Sequence, residues 1–296
     1  MMPRPGGLLR SVLYVPATNQ RARAKLASLA CDAAIIDLED AVGPADKATG
    51  RASLAALAEA SLPAPLRLVI RVNPLSGEWG PDDLKAAAAC RPEAILLPKV
   101  ATARDILDAD EMLDEQEEAE GIALWAMIET PRALLNCGAI AELGRDPAAR
   151  LSCLVAGTND LVKETGLRPS PDRNTLVPWL LQLVLAARAG GLDVLDGVSN
   201  DYRGAASFEA ECAQAAALGF DGKTLIHPDQ IAPANAAFSP TAAALEEARA
   251  VIAAFALPEN AGRAVVSVGG RMVERLHLEQ AEALLARATA ATSRTG

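Results

Sequence analysis

The sequence predicts a (β/α)₈ barrel, an α/β fold in which eight parallel strands are enclosed by helices. Eight short apolar runs recur along the 296 residues, each ending in a small group of charged or hydrogen-bonding residues, and stretches with helical spacing separate them. A continuous apolar strand that is buried on both faces is typical of a parallel sheet covered by helices. We therefore expect a barrel domain over residues 1–237 and a C-terminal extension over residues 238–296, which such a barrel does not need.

The eight predicted strands define one active-site face. In chain order they are VLYVPATN (12–19), AAIIDLED (33–40), LRLVIRVN (66–73), AILLPKV (94–100), ALWAMIET (123–130), SCLVAGTND (152–160), VLDGVSND (194–201) and DGKTLIHP (221–228). Because the carboxyl ends of the strands form the catalytic face of this fold, the polar ends of the runs should converge around one mouth. These polar residues are Asp37, Glu39, Asp40, Arg71, Asn73, Lys99, Glu129, Asp160, Asp201 and His227.

The segments between the runs predict the helices. Residues 20–30 and 46–60 have helical spacing after the first and second strands. A turn-rich loop over residues 166–174 follows the sixth strand, and the next helix should start near Thr175 and end at the glycine pair 190–191. This loop is expected on the active-site side of the barrel.

The C-terminal extension predicts two helices and a hairpin. The segment FSPT (238–241) offers an N-cap for a helix that runs to about Ala256. VVSVGGRMV (265–273) then predicts two short strands around a Gly-Gly turn, and a last helix should start at about Leu278.

Composition narrows the class of protein. The formal net charge is −10 and no basic stripe is visible, which argues against a nucleic-acid partner. The N-terminal residues contain no long apolar stretch, so we expect neither a signal peptide nor a membrane span. The five cysteines are scattered and show no CxxC spacing, which indicates buried thiols in a reduced, cytoplasmic protein, not disulfides or structural zinc.

Two carboxylates follow consecutive predicted strands, Glu129 after the fifth and Asp160 after the sixth. Two hard oxygen ligands with room left for water and substrate suit Mg²⁺. The same pair is also compatible with a general acid and base, or with salt bridges to Arg132 or Lys163.

Acidic residues and one arginine lie at the ends of the second and third predicted strands. Arg71 is a bidentate receptor for a carboxylate or phosphate, or an internal ion-pair partner for Asp37 or Glu39. Alternation along the strand sends Asp37 and Glu39 to the same face and Asp40 to the other face or into the loop. At least one of these acids is expected to hold metal-bound water or to orient Arg71, which makes Glu39 and Asp40 catalytic candidates.

Lys99 and His227 are less specific. Lys99 is either a Schiff-base lysine or an ion-pair partner of the strand-two acids. His227, one of two histidines, precedes a proline and fits a hydrogen-bonded structural residue better than a catalytic one.

Eight motifs from Arg10 onward carry a family resemblance. They are RSVLYVPATN, DLEDAVGPADK, RVNPLSGEWGPDDL, LLPKV, AMIETPRALLN, GTNDL, DGVSNDYR and LGFDGKTLIHPDQI. In this order and spacing, the chain resembles the HpcH/HpaI aldolase and citrate lyase β-subunit superfamily, in its stand-alone CitE-like branch of CoA-ester lyases.

The resemblance implies a Mg²⁺-dependent lyase. Such an enzyme reversibly cleaves a 3-hydroxyacyl-CoA, such as citryl-CoA, malyl-CoA or citramalyl-CoA, into acetyl-CoA or propionyl-CoA and a 2-oxo acid. By the matching motifs, Glu129 and Asp160 are the metal ligands, Glu129 also contacts the substrate, and Arg71 binds the 2-oxo acid portion. The resemblance further implies a homo-oligomer, a trimer or dimer of trimers, in which a C-terminal lid reaches the neighbouring site.

Two segments depart from the family pattern. GGRMVER places Glu274 where the lid motif usually has an aspartate with an acid/base role, so we expect Glu274 to supply the proton. VPATN stands where many relatives have VPGN, which bears on Asn19 and its predicted contact with CoA. Lys25 and Lys47 are further candidates for the CoA phosphates, because an acidic protein needs local positive charge to bind them.

Three other functions fit the same residues. One is a metal-dependent aldolase for free hydroxy-oxo acids, and another is a malate or citramalate synthase-type thioesterase. The third, outside enzymes, is a CoA-binding partner subunit, against which the intact Arg71, Glu129 and Asp160 count.

Overall fold

Eight parallel strands close into a barrel, in which each strand pairs with the next and β8 pairs with β1. The computed structural model describes residues 8–59 and 66–292. The strands are β1 (Ser11–Pro16), β2 (Ala33–Asp37), β3 (Arg67–Arg71), β4 (Ala94–Leu97), β5 (Ala123–Ile128), β6 (Leu151–Ala156), β7 (Asp193–Asp196) and β8 (Gly222–Leu225). Each lies within or beside its predicted run and ends before the run's last polar residues, which occupy the loops. The predicted (β/α)₈ barrel is confirmed.

Helices follow the strands around the outside of the barrel. Those of the first half are α1 (Gln20–Lys25), α2 (Lys47–Ala52), α3 (Ala55–Glu59), α4 (Gly80–Ala89), α5 (Ala103–Asp114) and α6 (Pro131–Ala141). The second half contains α7 (Thr158–Thr165), α8 (Val177–Gly190), α9 (Ala205–Leu218) and α10 (Ile231–Phe238). As predicted, α8 ends at a glycine pair, where Gly191 has the left-handed φ of +75° that a helix C-cap favours.

One predicted helix is broken. Residues 46–59 form a turn followed by α2 and α3, and residue 60 of the predicted helix lies outside the described residues. The hydroxyl of Ser53 donates to the carbonyls of Gly50 and Ala17, so it competes with the helical hydrogen bonds at the break.

Alternation along the strands produces two apolar layers. Val12, Ile35, Val69 and Trp125 belong to a cluster that fills the barrel interior. Their neighbours in sequence belong to a second cluster that includes helix residues such as Leu84, so this cluster lies between the strands and the helices. Since both faces of each strand are buried, the strands read as continuous apolar runs in the sequence.

Three buried charged side chains and the half-buried Glu211 form an ion cluster behind β7 and β8. Asp196 at the end of β7 and Lys223 in β8 are both fully buried, and the Lys223 ammonium lies 2.6 Å from Asp196. Arg173, from the loop before α8, donates to the other oxygen of Asp196 at 2.8 Å, and Glu211 of α9 pairs with both cations. The long loop over residues 166–174 is therefore fixed to the barrel wall by a paired arginine.

The described residues divide into two compact units, Leu9–Phe238 and a second unit that contains Leu8 and residues 239–292. In the second unit, α11 (Ala242–Ala256), β9 (Val265–Val268), β10 (Arg271–Glu274) and α12 (Arg275–Thr292) are described. The predicted hairpin turn is present, because Gly269 and Gly270 both have positive φ. The last helix starts three residues before the predicted Leu278, because β10 leads directly into α12.

All five cysteines are free thiols. Within residues 8–59 and 66–292, no helix has both the length and the apolar character that a membrane crossing requires.

Candidate active site

Arg71 is the centre of an ion cluster at the ends of β2 and β3. The Asp37 carboxylate accepts from its Nε at 2.7 Å and from its Nη2 at 2.6 Å, which is a bidentate pair. Glu39 lies 2.8 Å from Nη1 and Asp40 lies 3.6 Å from it. Asp37 and Glu39 thus share a face, as predicted, whereas the Asp40 side chain is 70% exposed.

Backbone amides hold the Asp37 carboxylate in position to pair with Arg71. Its two carboxylate oxygens accept hydrogen bonds from the amides of Glu39 and Ala41, so the loop after β2 folds around the carboxylate. Asp37 consequently fixes the Nε and Nη2 edge of Arg71. The Nη1 end faces Glu39 and the sulfur of Met127, at 3.8 Å.

Glu39 is a buried carboxyl with an altered affinity for protons. Burial raises its pKa to about 7, and the neighbouring Arg71 guanidinium opposes this shift. A carboxyl group with a pKa near neutrality can accept and return a proton under physiological conditions.

Glu129 and Asp160 meet at a single cation, the ammonium of Lys99. Lys99 Nζ lies 3.5 Å from Glu129 Oε2 and forms an ion pair with Asp160. The Lys99 backbone amide also donates to Glu129 Oε1 at 2.7 Å. The expectation that Lys99 pairs with the strand-two acids is therefore wrong, because the adjacent β5 and β6 ends are within closer reach.

The local backbone brings these two carboxylates together. Glu129 directly follows β5, but Asp160 lies in the first turn of α7 and not at the strand end, because that helix starts two residues after β6. Gly157 sits between them, and a Cβ there would lie 2.2 Å from the Glu129 Cβ. Only glycine permits β6 to approach Glu129 this closely.

These residues fit a Mg²⁺ ion. Two carboxylates already converge on one cationic group, and they supply the hard oxygen donors that Mg²⁺ prefers. Among the described residues, no third His, Cys, Asp or Glu completes the set. The remaining positions are left to water and substrate, which is the usual arrangement for Mg²⁺. Burial also raises the pKa of Glu129, and the Lys99 cation opposes that shift.

Both clusters line one cavity of about 310 Å³. Its charged lining residues include Asp37, Asp40, Arg71, Glu129 and Asp160. Acids outnumber bases in this lining, so the ionised cavity carries net negative charge. Such a cavity requires a cation before it can accept an anionic acyl group.

Three residues predicted to contact CoA lie in different settings. Asn19 caps α1 by accepting from the Ala22 amide, and Lys25 is exposed in the last turn of that helix. Lys47 is buried and donates to the carbonyls of Leu38 and Glu39 and to Asn73, so it supports the β2 and β3 ends. CoA contacts by all three residues stay predictions.

Glu274 belongs to the C-terminal unit, whereas His227 follows β8 in the barrel unit. Glu274 ends β10 in the C-terminal unit, and its amide donates to His277 Nδ1 at 3.0 Å. Its role in proton transfer stays a prediction. His227 Nδ1 accepts from the Asp229 amide, and its ring stacks on Tyr202, which fits the structural role expected for it.

Sequence reasoning missed Tyr14. Its ring lies on the Arg71 guanidinium, with 4.9 Å between the ring centroid and Cζ, and it lines the same cavity. The available signal was alternation in β1, where Tyr14 shares the inward face with Val12.

Known proteins match the whole of this architecture. The family model described as HpcH/HpaI aldolase/citrate lyase matches residues 10–228. A (3S)-malyl-CoA thioesterase of Cereibacter sphaeroides (strain KD131) is 44% identical over 281 residues, which are 95% of each chain. Citrate lyase subunit beta of Escherichia coli (strain K12) is 32% identical over 94% of this chain and 93% of its own.

A solved structure extends the match to the fold. CitE from Mycobacterium tuberculosis, in complex with magnesium, acetoacetate and coenzyme A, superimposes with a TM-score of 0.76 and 29% identity. The match covers 97% of this chain and 99% of that chain. The chain therefore belongs to the HpcH/HpaI aldolase/citrate lyase family and is an enzyme of its CitE-like lyase branch.

Proposed function

We propose that this enzyme depends on Mg²⁺ and acts on the CoA ester of a short hydroxy dicarboxylic acid. The reaction that we propose as the first candidate is the hydrolysis of malyl-CoA. The observation that carries the proposal is the 44% identity with (3S)-malyl-CoA thioesterase across 95% of both chains. The identity with citrate lyase subunit beta is lower, at 32%.

Arg71 is proposed to bind the free carboxylate of the acyl group. Asp37 occupies its Nε and Nη2 edge, so the Nη1 end is the part that meets a ligand. A substrate carboxylate would compete there with Glu39, which lies 2.8 Å away. Asp40, close to the same nitrogen, is proposed to orient the guanidinium from the solvent side.

Glu129 and Asp160 are proposed to hold Mg²⁺, which supplies Lewis-acid polarisation of the acyl oxygens when bound. Lys99 must then leave the two carboxylates. Its side chain is one third exposed, so solvent is available to the displaced ammonium.

Glu39 is the proposed general base. With a pKa of about 7, it can take a proton from the water molecule that attacks the thioester carbonyl carbon. A carbon–oxygen bond forms, the carbon–sulfur bond breaks, and the proton passes to the leaving CoA sulfur. The products are malate and CoA.

A carbon–carbon lyase is the second candidate, favoured by the similarity to citrate lyase subunit beta and to CitE. In this reaction Glu39 takes the hydroxyl proton, the carbon–carbon bond breaks, and the acetyl-CoA enolate is protonated. Glu274 is the proposed proton donor for that last step. The proposed homo-oligomer, a trimer or dimer of trimers, is testable by light scattering.

Product analysis separates the candidates. Purified protein is incubated with (3S)-malyl-CoA, with and without MgCl₂, and free thiol, malate, glyoxylate and acetyl-CoA are measured. Equal amounts of thiol and malate identify the thioesterase, whereas glyoxylate with acetyl-CoA and no thiol identifies the lyase.

Two variants test the metal ligands. Glu129→Gln and Asp160→Asn should each abolish the Mg²⁺-dependent reaction, whereas Glu118→Gln, an exposed carboxylate on the 3₁₀ turn after α5, should retain it. A wild-type protein that releases none of the four products in the presence of Mg²⁺ would refute the proposal.

A further inference from the structure

Tyr14, whose ring lies on Arg71, carries a buried hydroxyl group. Its oxygen is hidden from solvent and has no hydrogen-bond partner among the residues that the structure describes. A buried hydroxyl without a partner destabilises the folded protein, and such groups are rare unless they serve another state of the site.

The surroundings explain which kind of partner is missing. The Tyr14 ring covers the Arg71 guanidinium, and burial raises the pKa of the phenol well above its usual range. The group is therefore a neutral hydrogen-bond donor at physiological pH. The missing partner is an acceptor, such as a carboxylate or carbonyl oxygen.

We propose that the Tyr14 hydroxyl donates a hydrogen bond to an oxygen of the acyl group whose carboxylate is bound by Arg71. This inference rests on the proposed function. The contact requires the cluster to open, because the hydroxyl is covered by protein atoms. A substrate carboxylate at Arg71 Nη1 would compete with Glu39 for that nitrogen and so provide the opening.

Tyr14→Phe removes only the hydroxyl and tests the contact. Since no group in residues 8–59 or 66–292 forms a hydrogen bond with the hydroxyl, the melting temperature should be unchanged or higher. The kcat/KM for malyl-CoA should fall at least tenfold, and toward a hundredfold if the bond strengthens in the transition state. Tyr202→Phe alters the chain's other tyrosine and is the matched control, which should retain wild-type kcat/KM. Wild-type kcat/KM in Tyr14→Phe overturns the inference.

A spectroscopic measurement decides the case independently of turnover. Protein labelled with 3-fluorotyrosine should give two ¹⁹F resonances, because the chain contains two tyrosines, and Tyr14→Phe assigns them. Addition of malate with MgCl₂ should shift the Tyr14 resonance and leave that of Tyr202 in place. An unmoved Tyr14 resonance overturns the inference. A wild type without turnover but with this shift refutes the proposed reaction alone.

Discussion

Replacing Lys99 by methionine should tighten the binding of Mg²⁺. The Lys99 ammonium contacts both carboxylates that are proposed to hold the metal, so the lysine and the ion compete for the same oxygens. Methionine has a similar length and no charge. The substitution therefore removes the competitor while the Glu129 and Asp160 carboxylates stay in place.

The expected gain follows from the charges and their exposure. At the 3.5 Å between Nζ and Glu129 Oε2, one ion pair is worth roughly 1 kcal/mol in water and roughly 5 kcal/mol at an effective dielectric constant of 20. The Lys99 side chain is 33% exposed, which places the interaction toward the lower value. Loss of about 1–2 kcal/mol of competition corresponds to a Kd about 5–30 times lower.

Calorimetric titration with MgCl₂, or paramagnetic titration with Mn²⁺, measures this Kd without substrate. Lys163→Met is the matched control, because it removes the same charge from an exposed position one turn beyond Asp160. An unchanged or weaker Kd in Lys99→Met, relative to Lys163→Met, would show that Lys99 does not compete with the metal.

Two further changes test the site's electrostatics and packing. The pKa of Glu39 in the folded protein is raised to about 7, so the native state binds more protons than the unfolded state between about pH 4.5 and 7. This carboxyl group therefore makes the protein less stable as the pH rises through that range. Glu39→Gln should thus raise the free energy of unfolding, measured by urea titration, by up to about 3 kcal/mol at pH 8 and change it little at pH 5. An equal increase at both pH values would contradict the raised pKa. Gly157→Ala forces a Cβ against Glu129 and should reduce both the Mg²⁺ affinity and kcat. The control is Gly138→Ala, whose new Cβ has no atom within 4 Å and should stabilise α6 by about 0.5–1 kcal/mol. Unaltered metal binding in Gly157→Ala would contradict the close approach.

The fold was readable from the sequence because each strand is buried on both faces. The runs around Ile35, Ile95 and Leu154 therefore stay apolar throughout, and their periodic recurrence identifies a parallel barrel. The Gly269–Gly270 hairpin was equally predictable, since positive φ at consecutive residues favours glycine.

The pairing of the site residues was harder to predict. Sequence spacing indicated that Lys99 and Glu129 end strands, but it does not give the direction of a flexible lysine, which selects partners through space. Asp160 lies in the first turn of α7 and not at the end of β6, because the helix starts at Thr158, and the apolar pattern of the strand does not indicate this. That the Tyr14 hydroxyl forms no hydrogen bond within the described part of the chain is a result of three-dimensional packing, which sequence spacing does not reveal.

The burial of Arg173 restricts how the loop after α7 can change. Its guanidinium is held by Asp196, so the chain must return to the same point of the barrel wall before α8 begins. Insertions and deletions are therefore confined to residues 167–171, ahead of that anchor. Loops grafted from relatives should be accepted when they keep both the arginine at the anchor and Asp196, because loss of either charge removes an ion-pair partner from a buried cluster.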